Sequence, residues 1–69
     1  MKLSARNVLP GRIKQVVHGV VESEVVLELT PGVEIAATIT KASAERMALK
    51  PGDKASAVIK ASSVIIAMD

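Results

Sequence analysis

Two Pro-Gly dipeptides, Pro31-Gly32 and Pro51-Gly52, divide this chain into segments that alternate between apolar and polar residues. Pro and Gly are typical of turns, and runs rich in Val, Ile and Thr between turns indicate β-strands. A third pair, Pro10-Gly11, falls inside the first such run. Because proline has no N–H to donate to a neighbouring strand, we expect a bulge or bend there. The pattern predicts an all-β protein.

The alternation predicts five strands and one short helix. The predicted strands span residues 7–17, 20–29, 33–40, 54–60 and 63–68. In the last run both alternating sets are apolar, so we expect one face to meet the core and the other a partner chain. Residues 42–47 are good helix formers without Gly or Pro and predict one or two helical turns. Thr40 or Ser43 is the expected N-cap.

The order of these elements indicates the fold. Three strands, a short helix and two further strands is the order of a five-stranded OB-like Greek-key barrel. An SH3-like barrel is the competing all-β fold, and the helix between strands three and four favours the OB-like one. A chain of 69 residues corresponds to one domain, residues 1–69.

The composition indicates self-association. A core of this size rarely supplies more than about 3–5 kcal/mol, so small domains usually add disulfides, a metal or oligomerisation. The chain has no Cys and one His, while 49% of its residues are apolar and none is aromatic. Exposed apolar patches usually mark interfaces. We therefore expect an obligate homo-oligomer, with an unusually hydrophobic monomer as the alternative.

Several function classes lack their characteristic residues. The single His18 beside Gly19 gives no persuasive catalytic triad, and no nucleotide-binding loop is present, so we expect no catalytic residue and no enzyme. The net charge is only +2 and aromatic residues for base stacking are missing, which argues against a nucleic-acid partner. No signal peptide or long apolar run is seen, so we expect a cytoplasmic protein without a membrane partner.

Two cations are each surrounded by small hydrogen-bond donors. The first set is Ser4, Ala5, Arg6 and Asn7, and the second is Lys60, Ala61, Ser62 and Ser63. Positive charge with converging N–H and O–H groups suits a small anion. Thr40 and Ser43 flank the predicted helix start, where free N–H groups also favour anions. The ordinary alternative is surface cations with polar strand or cap residues around them.

Four segments resemble the molbindins, small molybdate-binding proteins of the transport-associated OB family. They are "SARNVLPGRI", "GVVESEVVLEL", "ITKASAERMALKPGD" and "VIKASSVIIA", and together they cover residues 4–67. The resemblance implies a cytoplasmic OB-like domain that forms hexamers, as trimers of dimers, with molybdate or tungstate bound at subunit interfaces. It also implies intracellular molybdenum storage or homeostasis. Buffering and delivery to molybdenum-cofactor synthesis remain open alternatives.

The resemblance also implies the site residues. The oxyanion-binding residues carried over by motif are Ser4, Arg6, Thr40, Ser43, Lys60, Ala61 and Ser62. Thr40 and Ser43 are expected to reach the site from a neighbouring subunit. A second oxyanion site is implied around His18, Gly19 and Val20. No residue is expected to ligate a metal cation directly. The alternative function is an OB-type interaction or nucleic-acid-binding module without an oxyanion ligand.

Overall fold

The structure is a computed structural model that describes residues 2–69. Its elements are β1 (Asn7–His18), β2 (Glu22–Thr30), β3 (Val33–Thr40), α1 (Lys41–Arg46), β4 (Lys54–Ile59) and a 3-10 turn (Ala61–Ser63). The strands form one antiparallel sheet in the order β3-β2-β1-β4. The prediction of an all-β fold with one short helix after the third strand is confirmed.

The long strand β1 curls the sheet because it pairs with a different neighbour along each half. Its first half, from Asn7 to Arg12, pairs with β4, and its second half, from Arg12 to His18, pairs with β2. The register shifts between Ile13 and Gln15, slightly beyond the predicted position at Pro10-Gly11. A β-bulge of this kind bends a strand and increases its twist.

Backbone contacts hold the curl in place. Ile13 donates its N–H to the carbonyl of Asp53 at 2.9 Å and accepts from the N–H of Gly52 at 2.8 Å. The turn at Pro51-Gly52 therefore satisfies the backbone of Ile13 beside the bulge. At Gly11 a Cβ would lie 2.6 Å from the carbonyl oxygen of Glu28, so only glycine permits this close approach of two strands.

The inner face of the curled sheet carries a small core. Ile13, Val25 and Leu27 are its buried members, and Ala44 of α1 is buried as well. On β2 the burial alternates, with Val25 and Leu27 inward and Glu24 exposed. This follows from the period-two alternation of side chains along a strand.

The short helix α1 begins one residue earlier and ends one residue earlier than predicted. Thr40 is its N-cap, and the Thr40 hydroxyl accepts the N–H of Ser43. Both predicted cap residues therefore take part in the cap. After the helix, Ala48 has φ 51°, and Leu49 donates its N–H to the carbonyl of Ala44 at 3.3 Å. A left-handed residue after the last turn is a common way to end a helix, although glycine usually occupies it.

The prediction of a fifth strand over residues 63–68 is wrong. β4 ends at Ile59, the 3-10 turn follows, and residues 64–69 belong to no helix or strand. Ile65 and Met68 are each 91% exposed. Strand propensity describes how well side chains suit a pleated surface, and it does not supply a neighbouring edge. We call residues 64–69 the apolar tail.

The sheet remains open between its two edge strands, β3 and β4. An apolar pocket of about 300 Å³ lies at this opening. Its walls include Ile35 and Ile39 of β3, Ala57 and Ile59 of β4, and Met47 after α1. The described part of one chain is thus a strongly curled sheet of four strands and does not form a closed five-stranded barrel.

Candidate functional site

The two predicted cationic segments lie side by side, where β1 begins and β4 ends. The last pair of the β1–β4 ladder is Asn7 with Ile59, so Arg6 and Lys60 are the next residues on either side. Extending the antiparallel register outward matches Arg6 with Lys60, Ala5 with Ala61, and Ser4 with Ser62. Each segment contributes a cation, a small residue and a hydroxyl, in opposite chain directions.

These residues line one open pocket of about 570 Å³. We call it the cation pocket, and its lining residues are Ser4, Ala5, Arg6, Val58, Lys60, Ala61 and Ser62. Among the described residues its lining has two cations and no carboxylate. Five predicted oxyanion-binding residues are thereby brought together: Ser4, Arg6, Lys60, Ala61 and Ser62. Sequence reasoning missed Val58, which gives the pocket an apolar wall.

The 3-10 turn after β4 adds backbone donors to this pocket. Its internal hydrogen bonds use the N–H groups of Ser63, to Lys60 at 2.9 Å, and of Val64, to Ala61 at 3.2 Å. The N–H groups of Ala61 and Ser62 are not used by the turn, as is general for the first residues of a helical segment. Ala61 and Ser62 both line the cation pocket, and their small side chains allow a ligand to approach the backbone closely.

Asn7 was predicted to be a donor near Arg6, but its carboxamide is engaged elsewhere. The Nδ2 group of Asn7 donates to the carbonyl oxygen of Ile59 at 3.3 Å, and Asn7 does not line the cation pocket. This hydrogen bond joins β1 to β4 at the residues adjacent in sequence to Arg6 and Lys60.

The remaining predicted site residues lie at the other end of β1. We call this region the hairpin end, and it comprises His18, Gly19, Val20, Thr40 and Ser43. Gly19 donates to the carbonyl of Glu22 at 2.8 Å to close the β1–β2 turn, and Glu22 pairs with Thr40. Neither Thr40 nor Ser43 is among the residues that line the cation pocket of the same chain.

Side chains at the hairpin end are bonded to one another. Thr40 Oγ1 lies 2.8 Å from Ser43 Oγ and accepts the Ser43 N–H at 3.1 Å. His18 Nδ1 lies 2.8 Å from Ser23 Oγ, and Ser23 is buried. Val20, in contrast, is 93% exposed at the tip of the turn. Gly19 and Val20 present mainly backbone groups and an apolar side chain here.

A larger pocket, of about 660 Å³, lies beside the bend of β1. It contains Arg12 and Lys54 together with the carboxylate of Glu28. The Nη1 group of Arg12 donates to the carbonyl of Gly52 at 3.2 Å, so that cation already has a structural partner. A carboxylate repels an anionic ligand, and the cation pocket is therefore chemically better suited to an oxyanion despite its smaller volume.

An exposed ion pair lies on the outer face of the sheet. Glu28 and Glu34 are direct cross-strand partners, and Lys14 forms an ion pair with Glu34. The hydrogen bond that Lys14 donates to the Glu34 carboxylate, and then the negative charge of Glu34, raise the pKa of Lys14 above its ordinary value of 10.5. Within residues 2–69 no group of three or more His, Asp or Glu side chains is placed to hold a metal ion. No described helix has the length and apolar character needed to span a membrane.

Residues 3–66 match the TOBE domain family, and the chain belongs to that family.

Two relatives are named for binding. The chain is 41% identical over 66 residues to molybdenum-pterin-binding protein 1 of Clostridium pasteurianum, covering 96% of this chain and 97% of that protein. It is 45% identical over 67 residues to the molybdenum-pterin-binding protein MopB of Rhodobacter capsulatus, covering 97% of this chain. The chain spans only 25% of the length of MopB.

Two solved structures have the same fold. A molybdate-binding protein from Sporomusa ovata superposes with a TM-score of 0.92 at 37% identity, covering 99% of this chain and 100% of that one. The cytoplasmic molybdate-binding protein ModG, with molybdate bound, superposes with a TM-score of 0.89 at 51% identity. That match covers 94% of this chain and 46% of ModG.

Proposed function

We propose that this chain binds molybdate, or the similar tungstate, as its ligand in the cation pocket. The observation that carries the proposal is the lining of that pocket, with Arg6, Lys60 and two serine hydroxyls and no carboxylate. The molybdenum-related names of relatives that match most of this chain support the same ligand class.

The chemistry of the ligand suits these donors. Molybdate is a tetrahedral dianion with four acceptor oxygens and no proton to donate near neutral pH, so it needs donors only. Arg6 and Lys60 supply positive charge, and hydrogen bonds from charged donors are stronger than neutral ones. Ser4 and Ser62 supply hydroxyls, and the N–H groups at Ala61 and Ser62 supply further donors.

We also propose that the complete site is shared between copies of the chain. Thr40 and Ser43 lie at the hairpin end, while the cation pocket lies at the opposite end of β1 in the same chain. A second copy running antiparallel to the first brings its hairpin end to the first copy's cation pocket. A ligand that binds only such an assembly stabilises it by mass action. The second oxyanion site proposed around His18, Gly19 and Val20 likewise depends on neighbouring copies.

The apolar surface supports a homo-oligomer, for which we propose a hexamer built as a trimer of dimers. The buried core of the described chain is small, whereas the apolar tail and the pocket between β3 and β4 remain open to solvent. Exposed apolar surface on this scale usually marks an interface. In the assembly we expect the pocket and tail to be covered, which would complete the OB-like barrel.

The proposed biological role is to bind the oxyanion without catalysing a reaction. We propose a cytoplasmic, non-enzymatic molybdate-binding domain, residues 1–69, that serves molybdenum storage or homeostasis. We propose no nucleic-acid or membrane partner. The absence of aromatic residues removes the stacking surface on which OB-fold nucleic-acid binders usually rely, which disfavours the alternative interaction-module function.

Isothermal titration calorimetry with molybdate, tungstate and sulfate tests the proposed function. We expect micromolar or tighter binding of molybdate and tungstate and weaker binding of sulfate, which has the same charge and shape but is smaller. If molybdate releases no heat and shifts no melting curve at millimolar concentration, the proposed function is wrong.

A further inference from the structure

The carboxamide of Asn7 lies at the end of the sheet where β1 begins and β4 ends. Asn7 is the first residue of β1 and half-buried, on the same alternating face as Ile13, and its register partner Ile59 is the last residue of β4. The Nδ2 group of Asn7 donates to the Ile59 carbonyl at 3.3 Å, across 52 positions of sequence. Among the described residues this is the one side-chain hydrogen bond that joins β1 directly to β4.

The next residues outward oppose each other electrostatically. Arg6 precedes Asn7 and Lys60 follows Ile59, so two like charges flank the last pair of the ladder and line the same pocket. Like charges held near one another repel, and salt screens this repulsion at exposed positions. Without ligand, their repulsion favours separation of the two strand ends, and the Asn7 hydrogen bond opposes that separation.

We propose that Asn7 is a positioning residue for the oxyanion ligand. Its carboxamide links the end of β4 to the start of β1 by a hydrogen bond. This link holds Arg6 and Lys60 close enough to bind one dianion. Asn7 acts through the two cations and does not contact the ligand. The affinity test below rests on the proposed function, whereas the disulfide test does not.

A disulfide between the two segments measures their proximity without any ligand. The chain has no cysteine, so the double variant Ser4→Cys/Ser62→Cys carries only the introduced pair. Its oxidation equilibrium in glutathione buffers gives the effective concentration of one thiol at the other. Adding Asn7→Leu, which keeps similar bulk but removes the donor, is expected to lower that concentration about two- to tenfold.

Gln15→Leu is the matched control, because Gln15 is an exposed amide on the same strand. We expect it to leave the effective concentration unchanged. Equal values for Asn7→Leu and the unsubstituted background would overturn the proposal.

The affinity measurement uses the cysteine-free protein. Asn7→Leu is expected to weaken molybdate binding about two- to tenfold, with Gln15→Leu unchanged. If affinity falls while the disulfide equilibrium stays constant, Asn7 contacts the ligand and the positioning role is wrong. If the unsubstituted protein binds no molybdate, the proposed function fails, and the disulfide equilibrium still decides the role of Asn7.

A measurement on the unsubstituted protein covers the case in which Asn7→Leu does not fold. In NMR spectra, the side-chain amide protons of Asn7 are expected to exchange with solvent more slowly than those of Gln15. Equally fast exchange would show that the Asn7 hydrogen bond does not persist, which overturns the proposal.

Discussion

The two ends of β1 carry similar small polar residues but use them differently. At the cation pocket, the side chains of Ser4, Arg6 and Lys60 make no hydrogen bond among the described residues, and the two cations line the same pocket. At the hairpin end, the Thr40 and Ser43 hydroxyls are bonded to each other. The first end therefore offers unpaired charges and hydrogen-bond donors to a ligand. At the second end, the hydroxyl groups already form the hydrogen bonds that cap α1.

Removing a cation from the cation pocket should have the largest effect. Arg6→Ala deletes a charge-assisted contact worth about 1.5–3 kcal/mol, so we expect molybdate affinity to fall roughly ten- to hundredfold. Calorimetry measures the change. Arg12→Ala is the control, because Arg12 bonds to Gly52 outside this pocket. Equal affinities for Arg6→Ala and Arg12→Ala would place the ligand elsewhere.

Removing the cap hydroxyl at the hairpin end should lower stability and also weaken molybdate binding at the proposed shared site. Thr40→Val deletes the acceptor for the Ser43 N–H, and loss of an N-cap costs about 0.5–2 kcal/mol. Urea denaturation followed by circular dichroism measures this cost. Thr38→Val, on the same exposed face of β3, should leave the unfolding free energy almost unchanged. A Thr40→Val variant with the same unfolding free energy as the unsubstituted protein would contradict the capping role.

The end of α1 offers a change that alters stability without touching either set of donors. Ala48 has a positive φ of 51°, which is costly for residues with a Cβ and easy for glycine. Ala48→Gly is therefore expected to raise the unfolding free energy by about 0.5–1 kcal/mol with unchanged molybdate affinity. Ala42→Gly, inside α1, should instead lower it by about 0.5–1 kcal/mol. If both variants changed the unfolding free energy in the same direction, this account would be contradicted.

The smallest effect is expected for Lys14 on the outer face, remote from both ends. Lys14→Met removes the ion pair with Glu34, so it should lower stability slightly, and less in high salt. Because its pKa is raised in the fold, the stabilisation by Lys14 is complete below its unfolded-state pKa. It is lost as the pH rises through the folded-state pKa, above 10.5. Denaturation at neutral and strongly alkaline pH should show this loss in the unsubstituted protein only.

The sequence predicted strands well where turns bounded a clear alternation of apolar and polar residues. β3 spans the predicted residues 33–40 because a Pro-Gly turn precedes it and a capped helix follows it. The apolar tail has comparable strand propensity but no pairing edge within the described chain. Propensity is a local property, whereas pairing depends on the positions of other strands.

The candidate site was predictable as a set of residues but not as a geometry. Spacing alone did not show that Arg6 and Lys60 converge, because convergence depends on the β1–β4 register. A signal was nevertheless present, since "SAR" and "KAS" have matching chemistry in opposite chain directions, as antiparallel neighbours require. That Thr40 and Ser43 do not line that pocket in the same chain depends on the path of the sheet and needed the fold.

Mixing two defective variants tests the shared site most directly. Arg6→Ala chains keep an intact hairpin end, and Thr40→Val chains keep an intact cation pocket. The two variants are unfolded together, refolded at equal amounts, and titrated with molybdate by calorimetry. If each site joins the cation pocket of one copy to the hairpin end of another, about a quarter of the sites should regain unsubstituted affinity. Mixed assemblies that bind no better than the two variants measured separately would contradict the shared site.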